Sequence, residues 1–372
     1  MVDFEIRKGG ANSNLLLNQT PNNNWSLFIP NARIITTVEL NNKWWLNSTL
    51  QSDYYGQKKM NDVFFSLLNI NYQPFKKNNL TFQAGRIIIP FGYNQNTFIA
   101  FENPFANLSL ESSWNLRVDK SIGYIPSGAL SYETNPGQSI IYQRRYTQGL
   151  SVFGTIGKDR ILEYNLAVTS APISGFSELS QGGNPSVIAR MVYQPIIWAK
   201  IGASYTHGGY MIREKAKNAV LSDNALASFN QTAYEFDLTL SYSYFEITGQ
   251  YLINEWNAPY IYTPTGSTTA EYISINRLAA THQLVQAKAN LPFLVGSYLA
   301  VRYENMSFNE LAFPFLGIND KTPWTAATNR YEIAFGYKIN KNIKTKISWL
   351  DGRNKKGDRD DFVFTTQVCV SF

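Results

Sequence analysis

The residues best equipped for chemistry gather in one long stretch, 91–146, which carries Glu102, Glu111, Arg117, Asp119, Lys120, Arg144 and Arg145. Acids and bases that oppose each other across a narrow wet passage create a transverse field that orients dipolar solutes. Connections of this length are usually functional or disordered. Arg117, Asp119, Lys120, Arg144 and Arg145 are therefore candidates for a pore constriction, with a loop that merely caps the structure as the plainer reading. Arg144 and Arg145 also suit a bidentate anion clamp, because the guanidinium fork matches phosphate and carboxylate. A solvated hairpin edge explains the pair equally well.

Covalent chemistry finds little support. His207 and His282 are the only histidines. Ser204 and Ser274 lie near them in sequence, but no spacing motif joins nucleophile to base. Cys369 is the single cysteine, so no intrachain disulfide forms. No paired Cys/His cluster, P-loop or dinucleotide fingerprint is present. Asp358, Asp360 and Asp361 read either as solvated acids at a loop tip or as calcium ligands. The expectation is no enzyme, no cofactor and no metal. The net charge of +6 comes without a long basic block, so no nucleic-acid partner is expected either.

The elements that position these residues repeat with period two. Tyr234, Phe236, Leu238, Leu240 and Tyr242 alternate with Glu235, Asp237, Thr239 and Ser241. Tyr331, Ile333, Phe335, Tyr337 and Ile339 alternate with Glu332, Lys338 and the small Ala334 and Gly336. Such segments are strands with one greasy and one wet face. The wet faces carry Arg33, Arg190, Lys200, Lys288 and Arg302 against Glu39, Glu163, Glu235, Asp237 and Glu246. These are the candidate wall residues of a lumen.

Alternation alone fits both a soluble sandwich and a membrane barrel. Several features favour the barrel. Charged residues make up only 16% and aromatics 15% of the 372 residues. The longest nearly apolar run, 291–301, falls short of the roughly 20 residues a membrane helix needs. Aromatics sit near strip ends, as at interfacial girdles. Short turns, such as 41–43, 194–196, 241–244 and 340–342, alternate with long loops near 10–31, 91–146, 171–185, 207–230, 257–280 and 307–328. The count is 16 antiparallel strands in one domain spanning 1–372, with short periplasmic turns and long extracellular loops. Phe372 ends the last strip, and no export signal opens the chain, so an exported protein would be in its mature form. Trp44, Trp45 and Trp256 read as girdle or rim residues, with sugar-stacking platforms as the alternative. Arg86 shares a face with Phe82 and Ile88, a conflict that a bulge near Gly85 would resolve.

Residues 80–92, Leu-Thr-Phe-Gln-Ala-Gly-Arg-Ile-Ile-Ile-Pro-Phe-Gly, resemble a strand and its Pro-Phe-Gly turn in the phosphate-selective porin family. Residues 148–168 resemble the hairpin that follows, and Ala-Arg-Met-Val-Tyr-Gln-Pro at 189–195 the next. The likeness covers roughly a third of the chain. It implies a 16-stranded, often trimeric, outer-membrane diffusion channel of a Gram-negative bacterium, with loop 91–146 folded into the lumen. Relatives pass phosphate, other anions or uncharged solutes. The ladder of lumen arginines that some members use has no residue-by-residue counterpart here. The expected function is passive diffusion of small hydrophilic solutes with a mild anion preference. Expected partners are outer-membrane lipid, lipopolysaccharide and two sister copies. The alternative is a scaffold barrel that binds a partner protein through its loops without conducting.

Overall fold

The computed structural model describes residues 1–9, 24–53, 63–75, 79–93, 99–126, 129, 137–157, 161–175, 185–211, 221–354 and 359–372. Asp358 lies outside them, as do the side chains of Asp360 and Asp361. Sixteen antiparallel strands close into a barrel. They are β1 Val2–Gly9, β2 Trp25–Asn41, β3 Trp44–Asp53, β4 Phe64–Tyr72, β5 Thr81–Ile88, β6 Tyr146–Ile156, β7 Leu162–Thr169 and β8 Ser186–Ile196. The circuit continues with β9 Ala199–Gly209, β10 Asn230–Tyr242, β11 Phe245–Tyr262, β12 Glu271–Asn290, β13 Ser297–Phe308, β14 Thr328–Lys338, β15 Ile343–Asn354 and β16 Arg359–Val370. Each pairs with its neighbours in sequence, and β1 pairs with β16 from Val2↔Val370 to Gly9↔Val363. That last ladder removes the sheet edge, which a lipid environment requires because no water is there to satisfy it.

The greasy faces point outward. Phe236, Leu238, Leu166, Val301 and Ile333 are all exposed. Tyr234 and Tyr242 mark the two ends of one outward strip. Between them the strand advances roughly 26 Å at about 3.3 Å per residue, which tilt shortens to the height of an outer-membrane apolar band. Tyr205–Tyr234 and Tyr303–Tyr331 form aromatic pairs across neighbouring strands, with centroids 5.2 and 5.0 Å apart.

Several local expectations are corrected. Strands β11 and β12 run far into 257–280, which reads as a loop in sequence. One extra residue on β12 shifts the register between Trp256↔Leu278 and Ala258↔Ile275. Arg277 stands at that bulge with φ 63. The expected turn 194–196 lies within β8, which carries Pro195 across a register shift between Tyr193 and Ile196. The chain reverses at 197–198 instead. Loop 307–328 contains a small hairpin that pairs Glu310–Phe313 with Ile318–Pro323.

Two side chains are also placed differently. Strand β5 keeps an unbroken register with both neighbours. The bulge lies one strand away, where Leu50 and Thr49 pair with Phe65 and Leu67 and skip Ser66. Arg86 donates to the Phe65 carbonyl at that bulge and lies over the Tyr146 ring. Trp256 is not a girdle residue: it is fully buried inside the barrel, edge-on to Trp324. Trp44, by contrast, is exposed and stacks on Tyr72 beside the short turn, whereas Trp45 faces inward opposite Glu39.

The interior is divided. Near the long loops, inward side chains such as Leu252, Leu278, Met306, Phe308, Leu350 and Val363 are apolar. They pack against Phe91, Leu110, Trp114, Leu116, Ile141 and Trp324 from the connections, forming a dry cluster. Towards the short turns the wall is polar and ionic.

Candidate functional site

The site begins where β5 ends. Pro90 cannot donate to a ladder, and Gly92 adopts φ 78, a conformation that favours glycine. The chain therefore turns inward. The Gly92 amide donates to Ser204 Oγ at 3.0 Å and the Tyr93 amide to Glu235 Oε1 at 2.7 Å. A Cβ at Gly92 would stand 2.3 Å from Glu235 Oε2.

From there the segment reaches the opposite wall. Lys346 Nζ donates to the carbonyls of Ala100, Asn103 and Phe105 at 2.7, 3.2 and 2.9 Å. Lys344 Nζ donates to Phe101 O at 2.8 Å. Tyr298 Oη donates to Pro104 O at 2.9 Å, and Asn107 Nδ2 to Glu332 Oε1 at 2.8 Å. An ammonium has three donors and no acceptor, so three carbonyls saturate Lys346 in place of water.

A single turn of helix, Leu110–Ser113, follows. Its first amide, Leu110 N, donates to Glu304 Oε1 at 2.7 Å. Glu304 is the hub of a buried network: Arg330 Nη2 lies 2.5 Å and Arg302 Nε 3.1 Å from its Oε2, and His282 Nε2 lies 3.2 Å from its Oε1. His282 Nδ1 is 3.1 Å from Glu111 Oε2, though off the line of a hydrogen bond. Glu111 also holds Arg145 Nη2 at 2.7 Å and accepts from Gln250 Nε2 at 2.5 Å. Arg302 pairs with Glu332 and lies 4.5 Å from the Phe105 ring centroid. Burying charges costs several kcal/mol each unless they are paired and hydrogen-bonded. Alternating signs around this network meet that condition, and they clasp the segment to β11–β15.

The residues singled out in the sequence scatter over several settings. Arg117 donates to Ile125 O at 2.8 Å and to Tyr124 Oη at 2.8 Å. Asp119 Oδ1 accepts from the Ser121 amide at 2.7 Å. Asp119 and Lys120 belong to the small hairpin 118–124, which Arg117 immediately precedes and which joins β11 at Tyr260↔Gly123, near the long-loop end. Burial lowers the Arg117 pKa and raises that of Tyr124. Arg144 pairs with Asp53 of β3 at 2.7 Å, and Arg145 with Glu111 as described. The two arginines thus diverge and do not form one clamp.

On the wall, Arg190 grips Asp237 through two contacts of 2.8 and 3.2 Å and Ser204 at 2.9 Å. Gly202 makes room, since a Cβ there would lie 2.2 Å from Asp237 Oδ2. Glu235 takes the Tyr93 amide. Arg33 is buried and donates to Asn31 Oδ1. Lys288 lies 5.3 Å from the Tyr298 ring centroid, and Glu246 accepts from Ser241. Glu39, Glu163 and Lys200 sit on inward-facing positions and are exposed. The part that sequence reasoning missed is the clasp formed by His282, Arg330 and Gln250. Each occupies a wet-face position, but the partners are far away in the chain.

No family model matches the sequence, and comparison with curated proteins finds no significant relative. Solved structures do match over the whole chain. An anion-selective porin from Comamonas acidovorans has TM-score 0.61 at 8% identity, covering 100% of this chain and 97% of that one. OmpF of Salmonella typhi, solved in complex with daunomycin, has TM-score 0.59 at 12% identity, covering 100% and 97%. The outer membrane channel DcaP of Acinetobacter baumannii has TM-score 0.57 at 10% identity, covering 100% and 95%. At these identities the likeness speaks for the fold. The molecule has the fold of these proteins, a closed 16-stranded antiparallel β-barrel of the porin-like type.

Proposed function

We propose that the protein is a diffusion porin through which small hydrophilic solutes cross passively, with no energy source and no covalent step. The observation that carries this reading is the ionic clasp of segment 99–113 against the polar part of the barrel wall, an arrangement that narrows the interior while keeping charged and polar groups along that stretch. A mild anion preference is the finer part of the reading. It draws on the net charge of +6 and on the exposed Lys200. Pairing of Arg144, Arg145 and Arg190 with carboxylates is the reason to hold it mild. The likeness to phosphate-selective porins and to a structure described as an anion-selective porin supports the same direction. That resemblance also supports a homotrimer embedded in lipid and lipopolysaccharide.

A catalytic role is not part of the proposal. His282 is engaged by Glu111 and Glu304, His207 Nδ1 lies 2.8 Å from Thr232 Oγ1, and Ser274 Oγ donates to Asn276. A second reading, a barrel that holds a partner protein through its loops without conducting, draws on the dry cluster near the extracellular end. Planar-bilayer recording separates the two. Stepwise conductance with a reversal potential weakly favouring chloride over potassium is expected. A sealed bilayer would remove the porin reading, and a strong cation preference would remove the anion preference alone.

A further inference from the structure

At the periplasmic end of the lumen, strands β3 to β8 surround a cavity of about 360 Å³. Hollows of this size hold small organic ligands. Trp45 and Phe153 contribute aromatic surface to its lining, Thr81 and Asn165 polar groups, and Glu163 and Arg190 charge. The two charges are not equivalent. Arg190 is buried and committed to Asp237 and Ser204, so its positive charge is already answered. Glu163 is exposed and makes no hydrogen bond or ion pair among the described residues. Glu39 faces the same way, directly across from Trp45 in the β2–β3 ladder, and is exposed as well. An occupant of this cavity meets aromatic rings and an unanswered carboxylate, and among the described residues that line it the cation, Arg190, is already paired.

We propose that this cavity is a binding subsite for small organic monocations that join an ammonium group to a flat apolar body. Glu163 takes the ammonium through a charge-assisted hydrogen bond. Trp45 and Phe153 take the body by stacking and by attraction between the cation and the ring faces. An inorganic anion gains little from the described lining, because Asp237 already neutralises the guanidinium of Arg190. The inference rests on the porin reading in one respect: such a solute reaches the cavity through a wet lumen. Binding itself does not require conduction.

The probe is phenethylammonium chloride, titrated into the detergent-solubilised barrel and followed by calorimetry and by saturation-transfer NMR. Saturable binding is expected, with Kd raised about tenfold in Glu163→Gln, equivalent to about 1.4 kcal/mol. Trp45→Ala is expected to weaken binding similarly and Trp45→Phe much less. Uncharged phenethyl alcohol and anionic phenylacetate should bind more weakly than the ammonium. Phenylacetate binding tighter than phenethylammonium would assign the cavity to Arg190 and overturn the proposal. Equal affinity in wild type and Glu163→Gln would also overturn it, and that exposed substitution carries little risk to folding. Conductance in potassium chloride, recorded on the same preparation, separates the two readings. A conducting barrel that ignores the probe loses the subsite alone, and a sealed barrel that binds it loses the porin reading alone.

Discussion

Glu304 shows how much the lumen asks of a single side chain. It answers two arginines, a histidine and the first amide of the helix Leu110–Ser113. Removing one partner of a buried ion pair costs about 3–5 kcal/mol, because the other charge is left stranded. Glu304→Gln keeps the shape and removes the charge. A fall in unfolding free energy of that order is expected in urea titrations of the refolded barrel. Adding Arg330→Met should recover part of it, because the stranded cation goes too. A Glu304→Gln barrel as stable as wild type would mean that the network does not anchor the segment. Sequence alone reveals the actors at this scale but not the pairs. Arg144 and Arg145 stand out by type, yet Asp53 and Glu111 lie 91 and 34 residues away in the chain. Closure of the wall brings Asp53 to Arg144, and the inward fold of the helix Leu110–Ser113 brings Glu111 to Arg145. His282 likewise reads as an isolated histidine until β13 and the inward helix meet on either side of it.

Elements were legible wherever the alternation stays in phase. The strips at 234–242 and 331–337 could be assigned inside and outside directly, and both faces are as the pattern indicates. The pattern fails where one residue is inserted. At Arg277 the phase slips, and Asn257 and Pro259 look like loop residues although β11 continues through them. The turn at Gly92 offers a clean test of local design. Gly92 and Gly266 both have positive φ, 78 and 84, but only Gly92 has a neighbour within 4 Å of a built Cβ. Left-handed backbone costs an ordinary residue about 1–2 kcal/mol. Gly266→Ala should show that cost alone. Gly92→Ala should show more, because it also pushes Glu235 off the Tyr93 amide. Urea midpoints of the two variants, compared side by side, report the difference. Equal losses would mean that the Glu235 contact does not hold the inward turn.

For the molecule as a whole, the outward strips and the alternation of short and long connections were enough to indicate a 16-stranded barrel. The dry upper interior was not legible, because Leu278, Met306 and Phe308 become interior only once the connections fold back onto them. A charge on the outer face should therefore be far more damaging than one removed from the wet mouth. Leu238→Arg is expected to cost about 2–4 kcal/mol near the midplane of the bilayer. Lys200→Thr, at an exposed inward position, should be close to neutral. Folding into lipid vesicles across a urea series measures both, and similar losses would place lipid on the wrong side of the wall. The three carbonyls around Lys346 have one more consequence. Backbone oxygens gathered in this way attract small cations, and here the tethered ammonium of Lys346 occupies them. A small cation that reached these oxygens would find them already engaged by a tethered ammonium.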